Sequence, residues 1–400
     1  MAFLFNTETS FPCLQKGASN VESKHVLIIG LSGRMGGVET FIKNITLSSD
    51  KDRVQFDFLV HDGSGNAVYS DAIDGFYAGD SREHIHYVEP FKRNPLKSLS
   101  EMQRLRDGIG FRFDWVHLNT GSPTEVVYAL PFLHGRTELI THSHIGDGNE
   151  TAIQRMARAI INRRSTYELA CSDKAAEWLF GDGHAGDSLM VRNGIVSHAF
   201  SYSPESREAV RSSLGIGSEM VVGHVGRFHE MKNHKRILSI FKSYLDIVQS
   251  ARLCLVGVGD LMDDTKRLAD RLGIADRVLF LGARRDTAAL YSAFDCFLMP
   301  SLYEGLPVVL VEAQASGLPI VMSDTISRDS IINPTLCTVV GLDEGDRSWA
   351  DALPRQASKN RAGAERVVSD AGFDVSKVTK SLERLYTGDP SGLAKVDDRA

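Results

Sequence analysis

The sequence predicts an α/β protein made of two doubly wound, parallel-sheet domains facing a central cleft. Three observations carry this reading. Short apolar runs alternate with helical patterns; the alternation breaks off over 198–208 and restarts; and the first strand of each series runs into a glycine turn. Alternation of strand and helix implies parallel sheets covered on both faces. In such folds ligands gather beyond the carboxyl ends of the strands, so the cleft is the expected ligand site.

Each element follows from its pattern. Residues 1–24 read as a loosely ordered extension, whose N-terminus lacks the basic region of a secretory signal. HVLIIG at 25–30 reads as a buried strand. The helix after it, 36–49, puts Val38, Phe41, Ile42 and Ile45 on one face. QFDFLV, HIHYV, DWVHL, ELITHS and YELACS continue the strand series, and DSLMVRNG carries the chain to Gly194. HAFSYSPESRE, 198–208, is polar, Ser-rich and holds Pro204, which reads as a linker. MVVGHVG restarts the pattern, followed by a helix carrying Ile237, Ile240, Phe241, Tyr244, Leu245 and Val248. RLCLVGVG, RVLFLG, DCFLMP, a helix from Pro307, and LPIVMS complete the second series. A last helix, to Tyr386, bears Val375, Val378, Leu382 and Leu385. The expected domains are therefore 25–197 and 198–372, with a C-terminal helix over 373–386 and a tail over 387–400.

Composition narrows the function classes. A hydrophobic content of 42% excludes a mainly disordered chain. The net charge of −6 supplies no overall basic field, so nucleic acid is not an expected partner. No apolar stretch is long enough to cross a bilayer. Cys13, Cys171, Cys254, Cys296 and Cys337 are odd in number and widely spaced, which reads as free thiols in a reducing compartment. Arg155, Arg158, Arg163 and Arg164, with Ile160 and Ile161 among them, read as a solvated helix face, an interfacial surface being the alternative.

Four segments carry chemistry. The turn over 30–37 could bring backbone N–H groups to an anion at a helix N-terminus, yet lacks the G-K-[ST] of a phosphate loop. Gly257-Val258-Gly259 lacks a third glycine and is discounted as a dinucleotide signal. In GHVGRFHEMKNH, 223–234, Arg227 and Lys232 bracket a turn and could neutralise a diphosphate. In PSLYEGLPVVLVEAQ, Pro307 suits the first position of a helix. Glu304 then lies in the loop before it, and Glu312 stands in an apolar run, where hydroxyls of a sugar or ribose would satisfy the carboxylate. His117, His142 and His144 end strands of the first series. No acidic or further His partner stands at useful spacing, so a metal is not expected there. The one D-x-D, at Asp50 and Asp52, falls in a loop poorly placed for a metal–diphosphate bridge.

Together these residues resemble glycosyltransferase family 4, retaining sugar-nucleotide enzymes of the GT-B fold with two Rossmann-like domains. The likeness runs over about 24–386 and includes M-G-G-V-E, H-S-H, C-S at 171–172, R-N-G-I, V-G-R-F…K-N-H and P-S-L-Y-E-G-L-P-V-V-L-V-E-A-Q. Its wording is most like bacterial exopolysaccharide and capsule enzymes. The resemblance implies that Arg227 and Lys232 hold the donor diphosphate and Glu312 the ribose. It puts Glu304 at the donor sugar with Gly305, Leu306 and Pro307, and has Gly282, Ala283 and Arg284 cradle the base. His142 would stand near the reacting face, with His144 as the alternative register, while Gly36, Gly37, His117 and His144 would face the phosphate or acceptor region.

The implied reaction moves a hexose or N-acetylhexosamine from a nucleotide sugar, a UDP-sugar by family, to a glycan on a polyprenyl diphosphate. It needs no metal and no cofactor beyond that co-substrate. The expected location is cytoplasmic, at the inner membrane face where the acceptor is lipid-linked, with peripheral membrane contact. A non-catalytic nucleotide-sugar-binding paralogue and a sugar-nucleotide epimerase are the alternatives.

Overall fold

The computed structural model describes residues 23–80, 82–144, 150–358 and 360–396. Most of the extension expected at the N-terminus, Cys13 among it, and the last four residues of the expected tail lie outside these. The first half runs β1 (Lys24–Ile29), α1 (Gly37–Ser48), β2 (Val54–Val60), α2 (Ser70–Phe76), β3 (Ile85–Tyr87), α3 (Pro95–Gly108), β4 (Trp115–Thr120), α4 (Val126–Ala129), β5 (Glu138–Ser143), α5 (Ala152–Arg164), β6 (Ser165–Ala170), α6 (Asp173–Phe180), α7 (Asp182–Ala185) and β7 (Leu189–Met190). The second half runs α8 (Pro204–Ser213), β8 (Val221–Val225), α9 (His234–Leu245), β9 (Arg252–Val256), α10 (Met262–Leu272), β10 (Val278–Gly282), α11 (Thr287–Ala293), β11 (Cys296–Met299), α12 (Val308–Ala315), β12 (Ile320–Ser323), β13 (Cys337–Val340), α13 (Asp346–Ala352), α14 (Ala364–Val368) and α15 (Val375–Tyr386).

The chain divides into two compact units, Met1–Gly194 with Val375–Ala400, and Ile195–Asp374. Unit 1 holds a seven-stranded sheet of order β3-β2-β1-β4-β5-β6-β7. Every pairing in it is parallel. Apolar strands such as Val26, Leu27, Ile28 and Ile29 are buried on both sides, which is why they read as continuous runs. One face packs on Phe41, Ile42 and Ile45 of α1 and on Val378, Leu382, Leu385 and Tyr386 of α15. The other packs on Met102, Ala129, Ala157, Ile161 and Leu179 of α3 to α6. Local chemistry sets the helix starts: Asn94 caps α3 ahead of Pro95, and Thr151 with Gln154 forms a capping box on α5.

Unit 2 holds a six-stranded parallel sheet of order β10-β9-β8-β11-β12-β13. Inside β8, Gly223 lets Phe294 pack against the strand, since a Cβ there would lie 2.1 Å from the ring. β13, with two exposed residues, is a further strand beyond LPIVMS, in the apolar stretch at Cys337.

The segment 198–208 is not a linker. Residues Ser197–Phe200 form a 3₁₀ turn, and Ser203 then caps α8 with Pro204 in its first turn. Ser and Pro are here the chemistry of a helix start. Arg207 and Arg211 of α8 reach Asp295 at 2.6 and 3.3 Å. Asp295 also accepts from the Val221 amide at 2.8 Å, which ties α8 to the start of β8 and β11.

Candidate active site

In each sheet the strand order reverses once, between β1 and β4 and between β8 and β11. Loops leaving the two central strands diverge there and open a crevice at their carboxyl ends. In unit 2 these are the turn after β8, carrying Arg227 and Lys232, and the loop after β11, carrying Glu304.

The structure brings Lys232 and Glu304 together: the ammonium donates directly to the Glu304 carboxylate, and both side chains are largely buried. Backbone and side-chain bonds hold the two loops in place. Leu302 N–H donates to the Met231 carbonyl at 2.8 Å, and the Asn233 amide donates to the Pro300 carbonyl at 3.1 Å. Asn233 has φ 55, a left-handed conformation that Asn tolerates, and it turns the chain into α9. His234 follows, buried and stacked on Phe228 with ring centroids 4.1 Å apart. Burial and Lys232 push its imidazole down to about 4, so it stays neutral beneath the loop. K-N-H is thus an ion-pair cation, a turn and a packed ring.

Arg227 is exposed, 3.8 Å from the still more exposed Asp260. The glycine pair that lacks the dinucleotide pattern proves structural. Gly257 has φ 135, and a Cβ there would lie 2.1 Å from the Gly226 carbonyl oxygen. Gly226 N–H donates to Val256, Phe228 N–H to Val258 and Gly257 N–H to Gly282, so the loops after β8, β9 and β10 are stitched side by side. Gly282 ends β10 and Ala283 opens the outermost of these loops. Arg284 there is held by Asp286 through two bonds of 2.8 and 2.6 Å.

Glu304, Gly305 and Leu306 lead into α12. Pro307 is its N-cap, with extended ψ of 116°, and the first helical residue is Val308, one later than the sequence pattern indicates. Glu312 of α12 accepts the Tyr291 hydroxyl at 2.9 Å. Tyr291 is fully buried, and burial beside Glu312 raises its phenol well above the usual range. Tyr291 is a site partner that the motif did not reveal, because it lies on a different helix. Tyr291→Phe leaves Glu312 short of one donor. With Glu312 in the ribose-binding role that the resemblance implies, the donor KM should rise about fivefold, from roughly 1 kcal/mol, with kcat retained. Steady-state kinetics over a donor range checks this.

Unit 1 corrects two histidine assignments. His117 and His142 are fully buried. His117 Nδ1 shares a 2.7 Å hydrogen bond with the Tyr386 hydroxyl of α15, and His142 Nε2 lies 3.2 Å from the Val191 carbonyl. Burial pushes His117 down to about 3 and His142 well below the ordinary range. Both are neutral core residues: His117 lies in mid-strand in β4 with Tyr386 of α15 over its ring, and Phe41 of α1 meets the His142 ring edge-on. His144 is the partly exposed member. It bonds Asn193 and Asn119, each at 2.9 Å, and burial brings it down to about 4.

The glycine turn after β1 is already supplied with carboxylates. Asp62 accepts from the Gly33 amide at 2.8 Å, and Ser32 donates to Glu39. Gly36 is the N-cap of α1, and Gly37, with open space where a Cβ would be, begins the helix. Burial raises the Glu39 carboxyl above its ordinary value. Glu39, the last residue of M-G-G-V-E, is a polar group that the glycine reading passed over.

Residues 206–356, which contain the Lys232–Glu304 pair, match the family described as Glycosyl transferases group 1. The chain is 31% identical over 380 residues to the putative glycosyltransferase EpsF of Bacillus subtilis (strain 168), covering 92% of this chain and 97% of that protein. The chain belongs to the group 1 glycosyltransferases. This glycosyltransferase is also 28% identical over 210 residues to the Escherichia coli UDP-Gal:alpha-D-GlcNAc-diphosphoundecaprenol alpha-1,3-galactosyltransferase, covering 49% of this chain and 53% of that one. Among solved structures it resembles Anabaena HepE in complex with UDP, with a TM-score of 0.74 at 19% identity over 91% of this chain and 100% of that one. It also resembles WaaG, a glycosyltransferase involved in lipopolysaccharide biosynthesis, with a TM-score of 0.65 at 17% identity over 91% and 100%. The architecture of the group 1 glycosyltransferase is therefore GT-B.

Proposed function

We propose that this enzyme is a retaining, family 4 glycosyltransferase. It moves a hexose or N-acetylhexosamine from a UDP-sugar to a growing exopolysaccharide or capsule glycan carried on a polyprenyl diphosphate. The observation that carries the reading is the Lys232–Glu304 pair at the switch point of unit 2, beside the start of α12. Departure of a nucleoside diphosphate builds negative charge on phosphate oxygens. Lys232, Arg227 and the amides of Gly305, Leu306 and the first turn of α12 are the groups that stabilise it, so the reaction runs without a metal. Glu312, oriented by Tyr291, binds the ribose hydroxyls. Glu304 holds Lys232 and accepts hydroxyls of the donor sugar. The Gly282, Ala283 and Arg284 loop receives the base. In unit 1, Gly36 and Gly37 face the acceptor, and His144, rather than His142, turns to the donor sugar.

The complex of HepE with UDP-glucose and the diphosphoundecaprenol acceptor in the name of the Escherichia coli relative support the donor and acceptor classes. The test incubates the protein with a nucleotide-sugar panel and lipid-diphosphate acceptors in the presence of a chelator, and assigns the product anomer by NMR. The expected result is UDP release with retained configuration, lost in Glu304→Ala and Glu312→Ala. Full transfer by both variants, or an inverted product, would overturn the reading.

A further inference from the structure

Unit 2 holds a cavity that the transfer chemistry does not use. It measures about 310 Å³, at the small end of ligand pockets, and Tyr202, Arg207, Gln356, Ser358 and Arg361 line it together with Asp295. Asp295 immediately precedes β11, so the cavity lies at the end of the sheet opposite the Glu304 loop. Three guanidiniums meet there, and one carboxylate answers them. Asp295 is fully engaged: Oδ1 accepts from Arg207, and Oδ2 from Arg211 and the Val221 amide. Arg361 is only 5% exposed and has no carboxylate partner among the described residues. It donates instead to the Tyr291, Ser292 and Phe294 carbonyls at the end of α11, and to Ser316 at the end of α12. Carbonyls at two helix ends offset part of its charge. A cation this deeply buried nevertheless ordinarily has an anion beside it. Burial pulls the Arg361 guanidinium down to about 10, so it stays charged at neutral pH.

The walls of the cavity say which anion. Arg207 directs Nη1 to the Ser292, Ala293 and Phe294 carbonyls and Nη2 to Asp295, while its Nε–H has no partner among the described residues. Gln356 and Ser358 stand exposed on the loop before Arg361 and add an amide and a hydroxyl donor. The Tyr202 ring lies 4.5 Å from the Arg361 Cζ and gives the cavity an aromatic side. Three guanidiniums against one carboxylate leave a surplus of two positive charges. A phosphate monoester carries nearly two negative charges at neutral pH and presents three acceptor oxygens to such donors. A carboxylate would match only half the surplus. An aromatic wall beside the donors suits an organic group on the phosphate better than a bare ion. We propose that this cavity binds a small organic phosphate monoester, with Arg207, Gln356 and Ser358 donating to the phosphate and Tyr202 lying against the organic group.

The cavity and the candidate active site lie at opposite ends of the unit 2 strands, so binding here and sugar transfer can fail separately. The test titrates the full chain by calorimetry with glycerol 3-phosphate, inorganic phosphate and glycerol, each with saturating UDP present to occupy the donor site. The expected result is one glycerol 3-phosphate per chain and no binding of glycerol. Inorganic phosphate should bind at least about fourfold more weakly, the worth of even one buried methylene. Ala357→Glu with Ser358→Glu sets two carboxylates in the cavity wall and should weaken binding at least about tenfold. Both positions are exposed, so the thermal midpoint of that variant without phosphate should match the wild type. Glycerol 3-phosphate should raise the midpoint of the wild type and not of the variant, since a ligand of the folded state stabilises it. Lys232→Ala should bind glycerol 3-phosphate as the wild type does. No binding in the presence of UDP, equal binding by the double glutamate variant, or loss of binding in Lys232→Ala overturns the proposal. So does inorganic phosphate binding as tightly as the monoester, which would leave the cavity without a place for an organic group.

Discussion

Lys232→Ala should lower kcat/KM for transfer by about 10²–10³-fold, the typical cost of losing one preorganised charge stabiliser in a transition state. Two effects act in the same direction. In the proposed mechanism, the substitution removes a cation from the place where diphosphate charge develops. It also leaves the Glu304 carboxylate, with which Lys232 is paired, unneutralised in a site largely closed to water. An uncompensated carboxylate there repels the leaving group it should help to hold. Most of the loss should therefore appear in kcat, with a smaller loss of UDP affinity by calorimetry. Lys232→Arg should restore only part of the rate, because a planar fork does not replace a compact ammonium in a pocket shaped around Glu304. A kcat/KM within threefold of wild type would remove Lys232 from the mechanism.

Asp295→Ala should have the largest effect on stability, although it lies at the opposite end of β11 from the loop that carries Glu304. Asp295 is buried, and its carboxylate meets Arg207, the buried Arg211 and the Val221 amide. Its loss leaves two guanidiniums with no counter-charge and unlatches the β8–β11 pair at its origin. Removing one partner of a buried pair costs about 3–5 kcal/mol, a large part of the stability of a domain this size. Urea unfolding should show the loss as a lower midpoint. Asp295→Asn, which keeps acceptor capacity but not charge, should fall between. A change below about 1 kcal/mol in the alanine variant would mean that the backbone carbonyls around Arg207 and Arg211 suffice.

These two residues mark what could be read in the sequence and what could not. Lys232 and Glu304 were legible because a parallel sheet places chemistry in the loops after its central strands, and both loops follow continuous apolar runs. Asp295, Arg207 and Arg211 were not, since charged residues are expected on surfaces and the Ser-Pro start of α8 has the composition of a linker. Their burial follows from pairing across more than eighty residues, which no local pattern encodes. His117 and His142 show the same limit. The sequence pattern placed both at strand ends, but β4 runs on to Thr120 and leaves His117 in mid-strand, where Tyr386, 269 residues beyond it, covers the ring. Gly257 shows it at the scale of one atom: no spacing rule announces that a neighbouring carbonyl leaves no room for a Cβ.

The assignment of α15 to unit 1 has a consequence for the order in which the protein comes into being. Unit 2 is one uninterrupted stretch, Ile195–Asp374, so all its parts are present once that stretch has left the ribosome. Unit 1 begins to emerge earlier yet waits longer. Leu382, Leu385 and Tyr386 close one face of its sheet, and the Tyr386 carbonyl accepts the Trp115 indole N–H at 2.8 Å. Until these late residues arrive, the face of β1 and β4 that α1 shares with α15 is only partly covered, so the half of the protein that is made first is the half that matures last.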